Sequence, residues 1–281
     1  MESGTKETRA PIEILPIKKL EFPNFSELWD FRDLVYLLAR RELKTRFQQT
    51  TIGILWIALQ PIIQMLIFYL ILGVFVKVPT GDVPYPIFFL SGFVVWQFFS
   101  QIINYGALSL LDNIDIIVKT YFPRLALPVS TVISSLVDFF VSFGLLLFLM
   151  LINGYPITTR FLLLPLLLII TIIFSSGVGL LFGALMVSFR DMKNLISFIM
   201  MVWMYLTPIM YPSSLIPERY LFLFWLNPMT SLVEVYRWVF LNSNTLPPMW
   251  YFFLSCFTAI IIWVIGALYF RRMEKTFADV V

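Results

Sequence analysis

The 281-residue chain contains no histidine and a single cysteine. Without an imidazole it cannot assemble a Ser-His-Asp triad, an HExxH zinc site or a histidine proton relay, so most hydrolytic chemistry is excluded. Cys256 stands alone inside an apolar run, which excludes an intramolecular disulfide and a CxxC metal or redox pair. Charge is scarce too: Asp, Glu, Lys and Arg make up 13% of the residues, against roughly 25% in a soluble domain. The net charge of +3 is too small to suggest nucleic acid as a partner. No GxxxxGK(S/T) phosphate loop occurs, so any energy drawn from ATP must come from another chain. What the chain has in excess is apolar surface. At 59% of residues, against roughly 45–50% in soluble domains, this is the composition of an integral membrane protein.

A helix needs about 20 apolar residues to cross the hydrocarbon core, and long stretches between consecutive charges mark six such spans. Arg46 to Lys77, Asp82 to Asp112, Arg160 to Arg190 and Lys193 to Glu218 enclose spans one, two, four and five. Span three lies between Arg124 and Arg160, broken only by Asp138, and span six runs from about Trp250 to Phe270. Tyr220 to Val233 is apolar but too short to cross. With Pro217, Pro228, Pro247 and Pro248 around it, it reads as a helix pair that dips into the membrane and returns. The expected fold is an all-α integral membrane protein of six transmembrane helices.

Lys and Arg concentrate in cytoplasmic connections. With both termini inside, nine fall in the amino-terminal segment, two in the connection after span two (Lys119, Arg124), two after span four (Arg190, Lys193) and three in the tail (Arg271, Arg272, Lys275). Only Lys77, Arg160, Arg219 and Arg237 remain outside. The expected location is therefore the cytoplasmic membrane, multi-pass, with both termini cytoplasmic. Residues 1–23 carry charges and prolines but no apolar core, so they read as a cytoplasmic extension rather than a cleavable signal peptide. Residues 276–281 form a cytoplasmic tail.

Asn24, with Glu27 three residues on, makes a helix start resembling a capping box. Phe31, Leu34, Val35 and Leu38 then recur at helical spacing, acids fill the first half of the segment, and Arg40, Arg41, Lys44 and Arg46 its end. Residues 24–47 are thus expected as an amphipathic helix at headgroup level, whose basic end meets lipid phosphates or a phosphate-bearing substrate. The connection from Leu111 to Val129 mixes charged residues with Ile114, Ile116, Ile117, Tyr121 and Phe122, an apolar set expected to enter lipid or a partner's groove. Asp138, about ten residues into span three, is either a proton or cation site or a group that holds helices together. The second reading is preferred because the spans contain no further charge to relay to. Trp56, Trp225, Trp238 and Trp250 fall near span ends as interfacial belts require. Trp96, Trp203 and Trp263 lie nearer mid-span, where their rings suit either helix packing or sugar rings. Glu234 and Arg237, three residues apart, are placed to pair on one helix face.

Several ordered runs carry a resemblance. FRDLVYLLARRELKTRFQQTTIGILWIALQP, VPYPIFFLSGFVVWQFF, VKTYFPRLALPV, VSFRDMKNL, TPIMYPSSLIP and LNPMTSLVEVYRWVF resemble, in order and spacing, the polysaccharide-exporting ABC-2 permeases of the O-antigen, capsule and teichoic acid branch. The match runs from about Asn24 to Lys275, with residues 48–275 as the six-span transmembrane domain. The resemblance implies a non-enzymatic permease subunit that pairs with a second copy of itself and two ATP-binding-cassette subunits, which hold the ATP and Mg. It also implies a polyprenyl-pyrophosphate-linked glycan as the substrate moved outward, with no cofactor or metal on this chain. By the same resemblance, Asn113, Asp115, Lys119, Tyr121, Phe122, Arg124, Arg190 and Asp191 face the ATPase. The external hairpin, with Glu234, Arg237 and Trp238, becomes an outer gate, and spans one and five line the channel. As cations at headgroup depth, Arg40, Arg41 and Lys44 are the candidates for receiving the pyrophosphate, and Tyr69, Trp96, Trp203 and Tyr205 for lining the glycan path. Two rivals remain, an exporter of another amphiphile within the same superfamily and an ion-coupled carrier built on Asp138. An intramembrane glycan-lipid transferase would need acid-base groups that the spans lack.

Overall fold

The computed structural model describes residues 25–47, 53, 55–189, 191–242 and 247–274, and the regular elements among them are all helical. At hydrocarbon depth no water can satisfy backbone amides and carbonyls, so uncharged apolar runs close their hydrogen bonds within themselves. Two helices precede the spans, α1 (Phe25–Asp30) and α2 (Arg32–Phe47). There follow α3 (Leu55–Phe68), prolonged by π-helical turns to Phe75, then α4 (Tyr85–Asp112), the short α5 (Ile114–Lys119), α6 (Ala126–Ile152) and α7 (Leu164–Ser188). The chain continues through α8 (Met192–Tyr205), α9 (Glu218–Leu226), α10 (Pro228–Leu241) and α11 (Met249–Met273).

Among the described residues, five helices are long and apolar enough to cross a membrane: Leu55–Phe75, Tyr85–Asp112, Ala126–Ile152, Thr159–Val187 and Met249–Met273. The stretch expected as a complete fifth span is instead the 14-residue α8. At 1.5 Å per residue it is about 21 Å long, short of the roughly 30 Å hydrocarbon core. Pro208 explains the stop, since it disfavours helical geometry at Thr207 and brings no amide of its own. Arg46, taken as the boundary before span one, is the last charge of α2, which packs along α6.

The centre of the bundle is α4, flanked by α6, α7 and α10. Phe89, Phe98 and Phe99 on α4 are fully buried; Phe98 packs on Phe139 of α6, Phe99 on Phe174 of α7, and Phe89 stacks on Phe68 of α3. α7 and α11 approach most closely where Gly177 faces Gly266: a Cβ on Gly177 would stand 2.5 Å from the Cα of Trp263, and one on Gly266 would overlap the Gly177 carbonyl oxygen. Only glycine permits that crossing.

Two apolar clusters fill the protomer. Val35 and Leu38 of α2, Leu110 of α4, Leu127 of α6, Ala184 of α7 and Phe270 of α11 share the first, at one end of the bundle, so the start of α2 and the finish of α11 lie together, while the second takes in the rest of the core. At the other end the Tyr85 hydroxyl donates to the carbonyl of Met210 at 2.9 Å, and the Arg160 guanidinium sits 4.3 Å from the Trp238 ring. The amphipathic helix expected on the membrane surface turns its apolar side (Val35, Leu38, Ala39) into the first cluster, against the bundle itself.

Candidate functional site

α9 and α10 form a hairpin that packs against α4 and α8. Arg237, in the second half of α10, packs its guanidinium carbon 3.9 Å from the Phe88 ring near the start of α4. Asn227, just before α10, accepts a 2.8 Å bond from the Trp203 indole, which in turn contacts Trp96 and Phe99 farther along α4. Ten residues separate Asn227 from Arg237, so the tip of the hairpin lies up to about 15 Å farther along α4 than Arg237. Asn227 is satisfied on every side. Its Oδ1 also accepts from the Met229 amide at 3.1 Å, capping α10, and its Nδ2 donates to the Thr207 hydroxyl at 2.9 Å. Pro228 follows at the first helical position, where its missing amide costs nothing. Asn242 in the left-handed region (φ 51°) closes the helix.

Arg237 is almost completely buried. It donates to the carbonyls of Pro208 at 2.5 Å and Ile209 at 2.6 Å and pairs with Glu234 at 3.3 Å, the pairing their spacing predicts. Gly92 of α4 makes room for it, since a Cβ there would lie 2.9 Å from an Arg237 guanidinium nitrogen. Of the residues expected at an outer gate, Glu234 and Arg237 thus tie α10 to the turn that ends α8, while Trp238 carries the Arg160 guanidinium.

The four aromatic residues expected along a path divide in two. Trp96 lies within the protomer's core and Trp203 is half-buried against Trp96, Phe99 and Phe174. Tyr69 on the extension of α3 and Tyr205 at the end of α8 are exposed. A cavity of about 350 Å³ opens between α8 and α9, walled by Trp203, Tyr220, Phe224 and Asn227.

At the other end the connection after α4 is fastened from both sides. Arg41 of α2 donates to the Asn113 side chain at 3.2 Å, and Arg124 donates to the backbone carbonyl of Glu274 after α11. Phe122 is buried in the apolar cluster there, with Ile116 and Ile117 packed against it. The apolar set expected to seek lipid or a partner is therefore largely consumed by the protomer's own core, leaving Tyr121 exposed beside Asp115 and Lys119. Asp191 is exposed at the start of α8; Arg190 lies outside the described residues. Arg40 and Lys44 are exposed on the outer side of α2, while Arg41 lines a cavity between α2, α4 and α6.

Asp138 has a charged partner that the sequence reading did not supply. Arg46 donates to its carboxylate at 2.9 Å and to the Ser134 hydroxyl at 3.2 Å, pairs with Glu42, and lays its guanidinium 3.6 Å from the Tyr105 ring. The expectation that no second charge reaches Asp138 is corrected: it comes from the helix before the spans. Asn227 was also missed, although an Asn-Pro pair opening an apolar helix is a legible cap signal.

A family model described as ABC-2 type transporter matches residues 33–241. The chain belongs to the ABC-2 type transporter family. This ABC-2 chain is 31% identical over 253 residues to an O-antigen export system permease protein, RfbA, of Myxococcus xanthus, a match covering 89% of this chain and 96% of that protein. A Klebsiella pneumoniae RfbA is 29% identical over 249 residues, covering 88% and 95%. The polysialic acid transport protein KpsM of Escherichia coli is 29% identical over 246 residues, covering 85% and 93%. The matched region runs from the start of α2 to the last residue of α10 and leaves out α11 and Glu274.

Proposed function

We propose that this ABC-2 chain is the permease subunit of an ATP-driven exporter that moves a lipid-linked polysaccharide outward across the cytoplasmic membrane. The observation that carries the reading is similarity over almost the whole length of permeases named for O-antigen and polysialic acid export. The exposed face of α3 fits it. Gln60 is exposed within a span that is only 17% buried, and a primary amide is poorly suited to lipid. A second copy of the chain would place that face, with Tyr69 and Tyr205, along a wet path between protomers. Two ATP-binding subunits would supply the ATP and Mg chemistry, docking on the Asn113 to Arg124 connection and on Asp191.

In this reading the segment between α7 and α11 makes the sixth crossing, because both helices end at the end where α2 begins. The clustered Lys and Arg support a cytoplasmic location for that end and for both termini. Arg40 and Lys44 meet the pyrophosphate at the inner mouth, and the α9–α10 hairpin closes the outer one. ATP-driven motion of the fastened connection opens the seam between protomers by rigid-body movement. The test is purification of the tagged chain from its native membrane, followed by transport in vesicles. A co-purifying phosphate-loop ATPase, released by charge reversal at Asp115 and Lys119, with ATP-dependent movement of a lipid-linked glycan, is the expected result. A chain that purifies alone while other ABC complexes survive would overturn it.

A further inference from the structure

The cavity between α2, α4 and α6 has a volume of about 260 Å³, many times the roughly 10–15 Å³ that one water needs. It lies within two turns of the end of α4 and the start of α6, at the depth where lipid headgroups meet acyl chains. The chemistry of its wall is one-sided. Of the five hydroxyl-bearing residues that line it, four spend their protons on backbone carbonyls, Thr45 on Arg41, Ser109 on Gly106, Ser130 on Leu127 and Thr131 on Pro128, at 2.7–2.9 Å, and Tyr105 is the fifth. The oxygens of those four therefore face the cavity as acceptors only. Glu42 and Asp112 add carboxylates, and Asn113 donates one amide proton to the Ser109 carbonyl. Of the two cations, Arg46 is saturated by Glu42, Asp138 and Ser134. Arg41 stands exposed at the rim with one bond to Asn113.

A wall rich in acceptors, with Arg46 already held by Glu42 and Asp138 and Arg41 at the mouth, is poorly matched to a pyrophosphate, whose charges would face two carboxylates at close range. It is matched to a small zwitterion with a three-proton cation at one end and a phosphodiester at the other. We propose that this cavity seats the headgroup of an inner-leaflet phosphatidylethanolamine. Its ammonium donates to the hydroxyl oxygens and to Glu42 and Asp112, and its phosphate lies against Arg41. The site is distinct from the outer face of α2, where Arg40 and Lys44 project, and the proposal does not depend on which substrate the exporter carries.

The test uses the full-length chain, delipidated in detergent and titrated with phosphatidylethanolamine, phosphatidylcholine, phosphatidylglycerol and geranylgeranyl pyrophosphate, with bound lipid read by native mass spectrometry. N-methylation removes the donors and leaves the phosphate, so phosphatidylethanolamine is expected to be retained roughly tenfold more tightly than phosphatidylcholine. Asp112→Asn and Ser130→Ala, neither of which touches the Arg46 ion pairs, should each erase most of that preference without changing the melting profile. Equal retention of the ethanolamine and choline lipids would overturn the proposal. So would a preference unaffected by both variants, or displacement of phosphatidylethanolamine by the prenyl pyrophosphate in an Arg41-dependent manner.

Discussion

The helices α3 and α4 are both spans, yet they sit in opposite surroundings. α4 is 83% buried within the protomer and α3 only 17%, although α3 is the more apolar, with a hydropathy of 2.1 against 1.6. In a soluble protein the ordering would be reversed. Within a bilayer lipid is as apolar as any core, so greasiness does not drive a helix inward. What marks α4 as central is its polar and small residues: Ser91, Gln97 and Ser109 are buried along it, and Gly92 accommodates a guanidinium. α3 instead leaves an amide, Gln60, exposed on an otherwise greasy surface, as the proposed path between protomers would require.

That contrast can be broken or sharpened by substitution. The largest effect is expected from Gly266→Val at the α7–α11 crossing, where the new side chain overlaps backbone: no monodisperse protein should be recovered by size-exclusion chromatography, and recovery at wild-type yield would refute the close crossing. Phe99→Ala, in the middle of α4, should lower unfolding free energy by about 3–5 kcal/mol, measured by denaturant titration in detergent. Asp138→Asn leaves Arg46 its Glu42 partner and should cost about 1–3 kcal/mol. ATP-driven export should persist in that variant, whereas complete loss of transport in folded protein would revive the ion-coupled reading. Smallest of all, Leu66→Ala on the exposed side of α3 should stay within about 0.5 kcal/mol for the protomer while shifting the monomer–dimer balance in analytical ultracentrifugation. A Leu66→Ala penalty as large as that of Phe99→Ala would mean that α3 is packed within its own protomer.

Uninterrupted apolar runs and the placement of Lys and Arg made the helical class and most spans legible, because desolvation of backbone and charge is a local property of the chain. The short α8 was harder to see. Lys193 to Glu218 contains no charge, and Pro208 had to be weighed as a terminator rather than as a residue that a span tolerates. The pairing of Arg46 with Asp138 joins residues 92 positions apart, so no local pattern announces it. Phe122 misled for a related reason: an apolar residue in a charged connection is equally suited to a partner's groove or to its own bundle, and only the packing of α2 and α11 around it decides. Among the candidate residues, the Glu234–Arg237 pair was readable from its spacing alone. Its anchoring to the Pro208 and Ile209 carbonyls was not, because those acceptors belong to a turn that had been read as the outer end of a span.

Asn227 holds the tip of the α9–α10 hairpin through one side chain that grips Trp203, Thr207 and the first turn of α10 at once. Two of these bonds reach outside the hairpin and the third caps its own helix, so lifting the tip breaks the Trp203 and Thr207 bonds together while α10 stays capped. In the proposed exporter the hairpin would therefore act as a latch with a seated and an unseated position, so that only a completed ATPase stroke would lift it.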